Sequence, residues 1–330
     1  MSDAGLPWQQ TLWASLQARR RAGTLPHALL LCGHRGLGKQ RFAMQFARSL
    51  LCAASHADGQ ACGACRSCLL FHSGAHPDYR RVAPEEDSKV IKIDQIRDLC
   101  AALGFTSQYG GYQIAHIDPA DALNTAAANS LLKTLEEPTP NTLLLLVTDR
   151  PASLPATLRS RCQRLVFQIP DNATARAWLQ SQVGSTPSVD ALLTLAQGAP
   201  LRALALAQGD GVARRQTLFA TLAQVVVGTA DPLTVAALWM KTDVKETLDW
   251  LREGVVTMIR LKMAGTAASG DHAQTLHDLA HGLDLHRLYG HLDRLTQALR
   301  LADTSVNTQL LFEDILIPWT HHRKPAKRHG

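Results

Sequence analysis

At 330 residues the chain is longer than one hydrophobic core supports, so two or three domains are expected. Its 46% apolar and 19% charged residues are those of a folded globular protein and exclude a disordered one. No run of about 18 uncharged apolar residues occurs, and Met1 to Gln10 lacks the basic-then-apolar order of a secretory leader, so no membrane span is expected and the chain reads as cytoplasmic.

The net charge of +6 is modest and partly local, in Arg19, Arg20 and Arg21 and in a tail containing Arg323, Lys324, Lys327 and Arg328. Each cluster is either a solvated surface or a phosphate contact.

From Pro26 to about Phe167, short apolar runs alternate with helical patterns. Ala28–Cys32, Tyr79–Ala83, Tyr112–Ile117, Thr142–Thr148 and Arg164–Phe167 read as strands, and Lys39–Cys52, Asp94–Leu103 and Asn124–Glu136 as helices. The alternation predicts an α/β domain, a parallel sheet with helices on both faces, over residues 1–168. After Pro170 the strands stop. Asp171 can cap a helix over Ala173–Val183, a second fits Val189–Gln197 and a third begins at Pro200, giving a small helical unit over 169–209. The pattern then stays helical to Trp319, with breaks near Gly228–Pro232, Gly265–Asp271 and Gly282–Asp284, which predicts an all-α domain over 210–330.

The run Ala28 to Leu31 leads into Gly33-His34-Arg35-Gly36-Leu37-Gly38-Lys39-Gln40 and then a helix. Strand, G-x-x-x-x-G-K, helix is the order in which backbone N–H groups at a helix start cradle phosphates while a lysine reaches the outer ones. Gly33, Gly36, Gly38 and Lys39 are therefore the candidate ATP-binding residues. The next position needs a serine or threonine hydroxyl for Mg²⁺ and holds Gln40, so metal-assisted hydrolysis is doubtful. Asp118 ends the strand Tyr112–Ile117, where an acid can hold Mg²⁺ through water, or it is a plain strand-end carboxylate. The neighbour that would activate water is Pro119, which has no ionisable group. Asp121 reads as a helix-start acid.

Cys52, Cys62, Cys65 and Cys68 give C-x9-C-x2-C-x2-C just after the phosphate-loop helix. In a reducing compartment such a cluster points to a metal rather than to disulfides. Four thiolates close a tetrahedral Zn²⁺ shell with no open position, a structural site. An iron–sulfur cluster competes for the same ligands, but the x3-C-P continuation is missing. Cys32 and Cys100 fall in apolar patterns and read as core.

Together with the phosphate loop and the four-cysteine insert, His76-Pro77-Asp78, Leu131-Leu132-Lys133-Thr134-Leu135-Glu136-Glu137-Pro138 and Ser160-Arg161-Cys162 resemble the clamp-loader branch of the AAA+ ATPases. The resemblance covers the first 210 residues by motif and the rest by helical pattern. It implies an AAA+ domain with a zinc insert, a helical lid and a helical collar for oligomerisation. It also implies that Arg161 reaches the ATP of a neighbouring subunit as an arginine finger. Gln40 and Pro119 match the non-hydrolysing kind of subunit, in which the nucleotide motifs decay while Ser-Arg-Cys persists. Lys39, Thr148 at the first-sensor position and Arg202 at the second are retained. The implied partners are the ATP-hydrolysing and delta subunits of the loader and, through the complex, the sliding clamp and primed DNA. Two rival readings are an active AAA+ ATPase and a free-standing zinc protein that binds DNA. Aromatic residues are only 5% of the chain and none interleaves with Arg19 to Arg21, which gives the last reading no stacking platform.

Overall fold

The structure, a computed structural model, describes residues 5–86, 88–184, 188–264, 273–302 and 306–322. The basic tail from Arg323 and the break Gly265–Asp271 lie outside the described residues. The chain divides into two compact units, Met1–Gln182 with Gly198–Ala203, and Val183–Gln197 with Leu204–Gly330.

The first unit opens with a 3₁₀ turn, Pro7–Gln9, and α1 (Gln10–Arg21). There follow β1 (Ala28–Cys32), α2 (Lys39–Leu51), α3 (Arg66–His72), β2 (Tyr79–Val82), α4 (Ile93–Leu103), β3 (Gln113–Ile117), α5 (Thr125–Glu136), β4 (Thr142–Thr148), α6 (Ala156–Arg159), β5 (Gln163–Val166) and α7 (Asn172–Val183). The strands form one parallel sheet in the order β2-β3-β4-β1-β5. The predicted strands are present; the last begins one residue early, at Gln163.

Both faces of this sheet are covered, which is why its central strands are uninterrupted apolar runs. Along β1, Ala28, Leu30 and Cys32 pack with Ile96, Leu99, Leu131 and Leu135 of α4 and α5. Leu29 and Leu31 pack on the opposite face with Phe42, Phe46 and Leu50 of α2 and Leu16 of α1. The two-residue period of a strand sends alternate side chains of the same run into two separate cores. Helix starts follow local chemistry: Asn124 accepts from Ala127 N–H before α5, and Asp171 from Thr174 N–H at the start of α7.

The remaining helices are α8 (Val189–Leu195), α9 (Pro200–Gln208), α10 (Gly211–Val227), α11 (Pro232–Trp239), α12 (Val244–Ala264), α13 (Ala273–Gly282), α14 (Leu285–Leu301) and α15 (Thr308–Leu316), with a final 3₁₀ turn Ile317–His322. The first turn of α9 belongs to the first unit and its remainder to the second. In the second unit α10 and α12 pack so closely that a Cβ on Gly254 would stand 2.5 Å from a Phe219 ring carbon. Beside that contact lies a buried ion pair, Arg215 Nη1 to Glu253 Oε2 at 2.9 Å. No single described helix is long and apolar enough to cross a membrane.

Candidate functional site: a phosphate loop, a thiolate tetrad and a surface arginine

Because β1 lies between β4 and β5, the loop after β1 opens beside the residues that follow β4, at the carboxyl ends of the strands where open α/β sheets bind ligands. Gly36 and Gly38 have φ of 84° and 82°, the left-handed region, and Gly38 caps α2. A Cβ at Gly36 would meet the Arg202 Cβ at 2.6 Å, and Leu201 N–H donates to Gly36 O at 3.1 Å. Trp8 Nε1 donates to Leu37 O, and Gln9 Nε2 to Leu37 O and Gly38 O, so the N-terminal turn grips the loop.

Lys39, 4% exposed, donates from Nζ to Gly33 O and His34 O, each at 2.8 Å, and to Asp149 Oδ1 at 2.5 Å. Gln40 is exposed. Asp118 directly follows β3, with its carboxylate 3.5 Å from Arg81 Nη2, and burial raises its pKa despite that guanidinium. Asp121 lies in a short 3₁₀ turn, Ala120–Ala122, as a helix-start acid. Its carboxylate accepts from Thr148 Oγ1 at 2.8 Å and from Arg150 Nε and Nη2 at 3.2 and 2.9 Å. Thr148 and the acid nearest Pro119 therefore hold each other, and that acid is committed to an arginine fork rather than to water.

The four cysteines predicted as ligands come together, with all Sγ atoms within 4.8 Å of one another. Cys52 Sγ lies 3.5 Å from Cys62 Sγ and 3.9 Å from Cys65 Sγ. A tetrahedral Zn–S shell requires about 3.8 Å between sulfurs. Backbone N–H groups of Cys62, Cys65 and Cys68 donate to the sulfurs of Cys52, Cys62 and Cys65. Burial opposes the Cys65 thiolate, but N–H groups of Cys68 and Ala53 outweigh it and bring the pKa down to about 6. Cys68 is pushed up to about 12 by burial. Cys32 is buried and Cys100 half-buried in the sheet core, as expected. Cys162 is buried as well, its pKa pushed up to about 12 by burial, which makes it an inert thiol.

Arg161 follows α6. Nη1 donates to Thr157 O at 2.9 Å and Nη2 pairs with Glu136 Oε1 at 2.5 Å, the two side chains being 36% and 51% exposed. Neither partner belongs to the phosphate loop. Sequence reasoning missed the Lys39–Asp149 pair, the Asp121 fork and the Glu136 contact. Only the place of Asp149, directly after the end of the apolar strand Thr142–Thr148, could have signalled one of them.

Comparison with known proteins shows the family. A family model described as DNA polymerase III, delta subunit, matches residues 8–171, and one described as DNA polymerase III, delta subunit, C terminal, matches residues 210–321. DNA polymerase III subunit delta' of Pseudomonas aeruginosa is 35% identical over 95% of this chain and 96% of its own length. The chain belongs to the delta-prime family of DNA polymerase III subunits. The Escherichia coli member is 34% identical over 97% of this chain and 96% of its own length. A DNA polymerase III gamma subunit-related protein from Thermotoga maritima aligns over 93% of this chain and 99% of its own, with 16% identity and a TM-score of 0.46. As a delta-prime family member the chain is a clamp-loader subunit of DNA polymerase III, with a five-stranded parallel sheet covered by helices and a helical C-terminal part.

Proposed function

We propose that this delta-prime subunit acts without ATP hydrolysis of its own, in a loader that opens the sliding clamp and closes it on primed DNA. It supplies Arg161 in trans to the ATP of the neighbouring hydrolysing subunit. The observation that carries this reading is the contrast between its two nucleotide-related surfaces. In its own site the metal hydroxyl is replaced by Gln40, the base position is Pro119, and Asp121 is bound by Arg150 and Thr148. Arg161, by contrast, stays on the surface in a half-exposed pair that an incoming phosphate can outcompete. Gly33, Gly36, Gly38 and Lys39 keep the form of a phosphate loop, and any nucleotide there is held weakly and left intact.

The tetrad geometry and all-thiolate donor set fit one structural Zn²⁺ on Cys52, Cys62, Cys65 and Cys68, which would cross-link the insert to the end of α2. The domain scheme that goes with this reading is an AAA+ domain over 1–168, a lid over 169–209 and a collar over 210–330. The test is reconstitution with the hydrolysing and delta subunits and the clamp from the same organism. The chain alone should show no turnover. Arg161→Ala should co-elute normally on gel filtration yet lower the DNA-stimulated ATPase, and clamp loading more, with Arg161→Lys rescuing poorly. Turnover by the isolated chain that Lys39→Ala abolishes, or wild-type rates in the Arg161→Ala complex, refutes the proposal.

A further inference from the structure

The His76-Pro77-Asp78 motif has no part in the nucleotide site or the surface arginine. We propose that His76 and Ser67 are positioning residues for the four-cysteine site, fixing the spacing between the two backbone arms that carry its ligands. The inference rests on the zinc reading above.

The arms are Leu51–Cys52, at the end of α2, and Cys65–Cys68, at the start of α3. Ser67 sits between two of the ligands, and its hydroxyl reaches across to Leu51 O, next to Cys52, at 2.6 Å. Its other partner is His76 Nε2 at 2.7 Å, while His76 Nδ1 lies 3.1 Å from the backbone N of Asp78. The directions of these bonds follow from their donors. A backbone N–H can only donate, so Nδ1 carries the lone pair and the ring proton is on Nε2. Nε2–H then donates to Ser67 Oγ, which leaves the hydroxyl hydrogen for Leu51 O. Asp78 N–H, His76, Ser67 and Leu51 O form a one-way chain in which every donor has one acceptor.

The far end of the chain is anchored to the sheet. Asp78 O accepts from Ile114 N–H on β3 at 2.8 Å. The Asp78 carboxylate accepts from Ser107 Oγ, Gln108 N–H and Tyr109 N–H at 3.0, 2.8 and 3.1 Å. Ser67, His76 and Asp78 are 5%, 3% and 4% exposed, so water cannot replace a missing link. Groups that orient metal ligands without touching the metal change affinity by about 10- to 100-fold when removed. Here the oriented groups are the ligands' own backbone arms.

The experiment uses the full chain as wild type, Ser67→Ala, His76→Phe and His76→Gln, whose amide nitrogen can donate from the Nε2 position. Zinc content is measured by mass spectrometry and zinc affinity by competition with a chromogenic chelator. Thermal unfolding is followed with and without metal. Wild type should hold one zinc. Ser67→Ala and His76→Phe should lose it at chelator levels about 10- to 100-fold lower, with His76→Gln between them and wild type, while the metal-free forms differ less in melting than the zinc-bound forms do. Ser67→Ala, which removes one atom, decides the matter if His76→Phe does not fold. Unchanged affinity with metal-free and metal-bound forms destabilised alike makes the chain an ordinary core network and overturns the proposal. A wild type without zinc fails earlier, at stoichiometry, and takes the zinc reading down with it.

Discussion

Replacing Asp149 with asparagine should tighten nucleotide binding at the phosphate loop. The Lys39 ammonium has three hydrogens, and each already has an acceptor: Gly33 O, His34 O and Asp149 Oδ1. A phosphate that reaches Nζ must displace one of them, and the carboxylate is the one whose charge opposes the incoming ligand. The Lys39 side chain is 4% exposed and that of Asp149 45%. The pair therefore falls between an exposed ion pair, at most about 1 kcal/mol, and a charged hydrogen bond, about 1.5–3 kcal/mol. A value of about 1–2 kcal/mol corresponds to about 5- to 30-fold in Kd. Titration of wild type, Asp149→Asn and the double variant Lys39→Ala/Asp149→Asn with a fluorescent ATP analogue measures it. The asparagine variant should bind about 5- to 30-fold more tightly, and the double variant should lose the gain. Equal affinities for wild type and Asp149→Asn would show that the carboxylate does not guard the lysine.

Arg161→Ala should lower the stability of the isolated chain by less than about 1 kcal/mol in urea titrations, because its ion pair with Glu136 is largely solvated. A much larger loss would mean that any effect on the loader reflects misfolding. Glu253→Ala should cost about 3–5 kcal/mol by removing one partner of the buried Arg215–Glu253 pair, whereas Arg215→Met with Glu253→Leu should recover most of it; equal losses in single and double variants argue against an electrostatic origin. Burial pushes the pKa of His116 down to about 4 from 6.5, so as pH falls below 6.5 the unfolded chain takes up a proton that the folded chain refuses. Stability should fall between pH 6.5 and 4, by on the order of 3 kcal/mol from this residue, and level off below 4. His116→Gln should flatten that limb; an unchanged slope assigns the loss to other groups.

The strands were legible because the sheet is buried on both faces, so Ala28–Cys32 and Thr142–Thr148 appear as apolar runs bounded by turn residues. The phosphate loop and the cysteine insert were legible because their chemistry is local, confined to consecutive residues or to fixed short spacings. What escaped was non-local. The sequence separates Lys39 from Asp149 by 110 positions, and only the adjacency of β1 and β4, with Cys32 opposite Thr148, brings them together. The Asp121 fork depends in the same way on β4 lying beside β3. A helix-start acid and an acid gripped by arginine look alike in sequence, and strand order decides between them.

Helix α2 begins with the lysine of the phosphate loop and ends one residue before the first cysteine of the tetrad. Its 13 residues make a bar about 20 Å long whose ends are locked in angle as well as distance, since each residue advances the helix by about 100°. Inserting or deleting one residue in its middle would swing Cys52 by that angle relative to Lys39, away from Cys62 and Cys65. The two ends can therefore tolerate changes of side chain independently, but not changes of length. Lineages that abandon the thiolates should be the ones in which the length of this helix is free to drift.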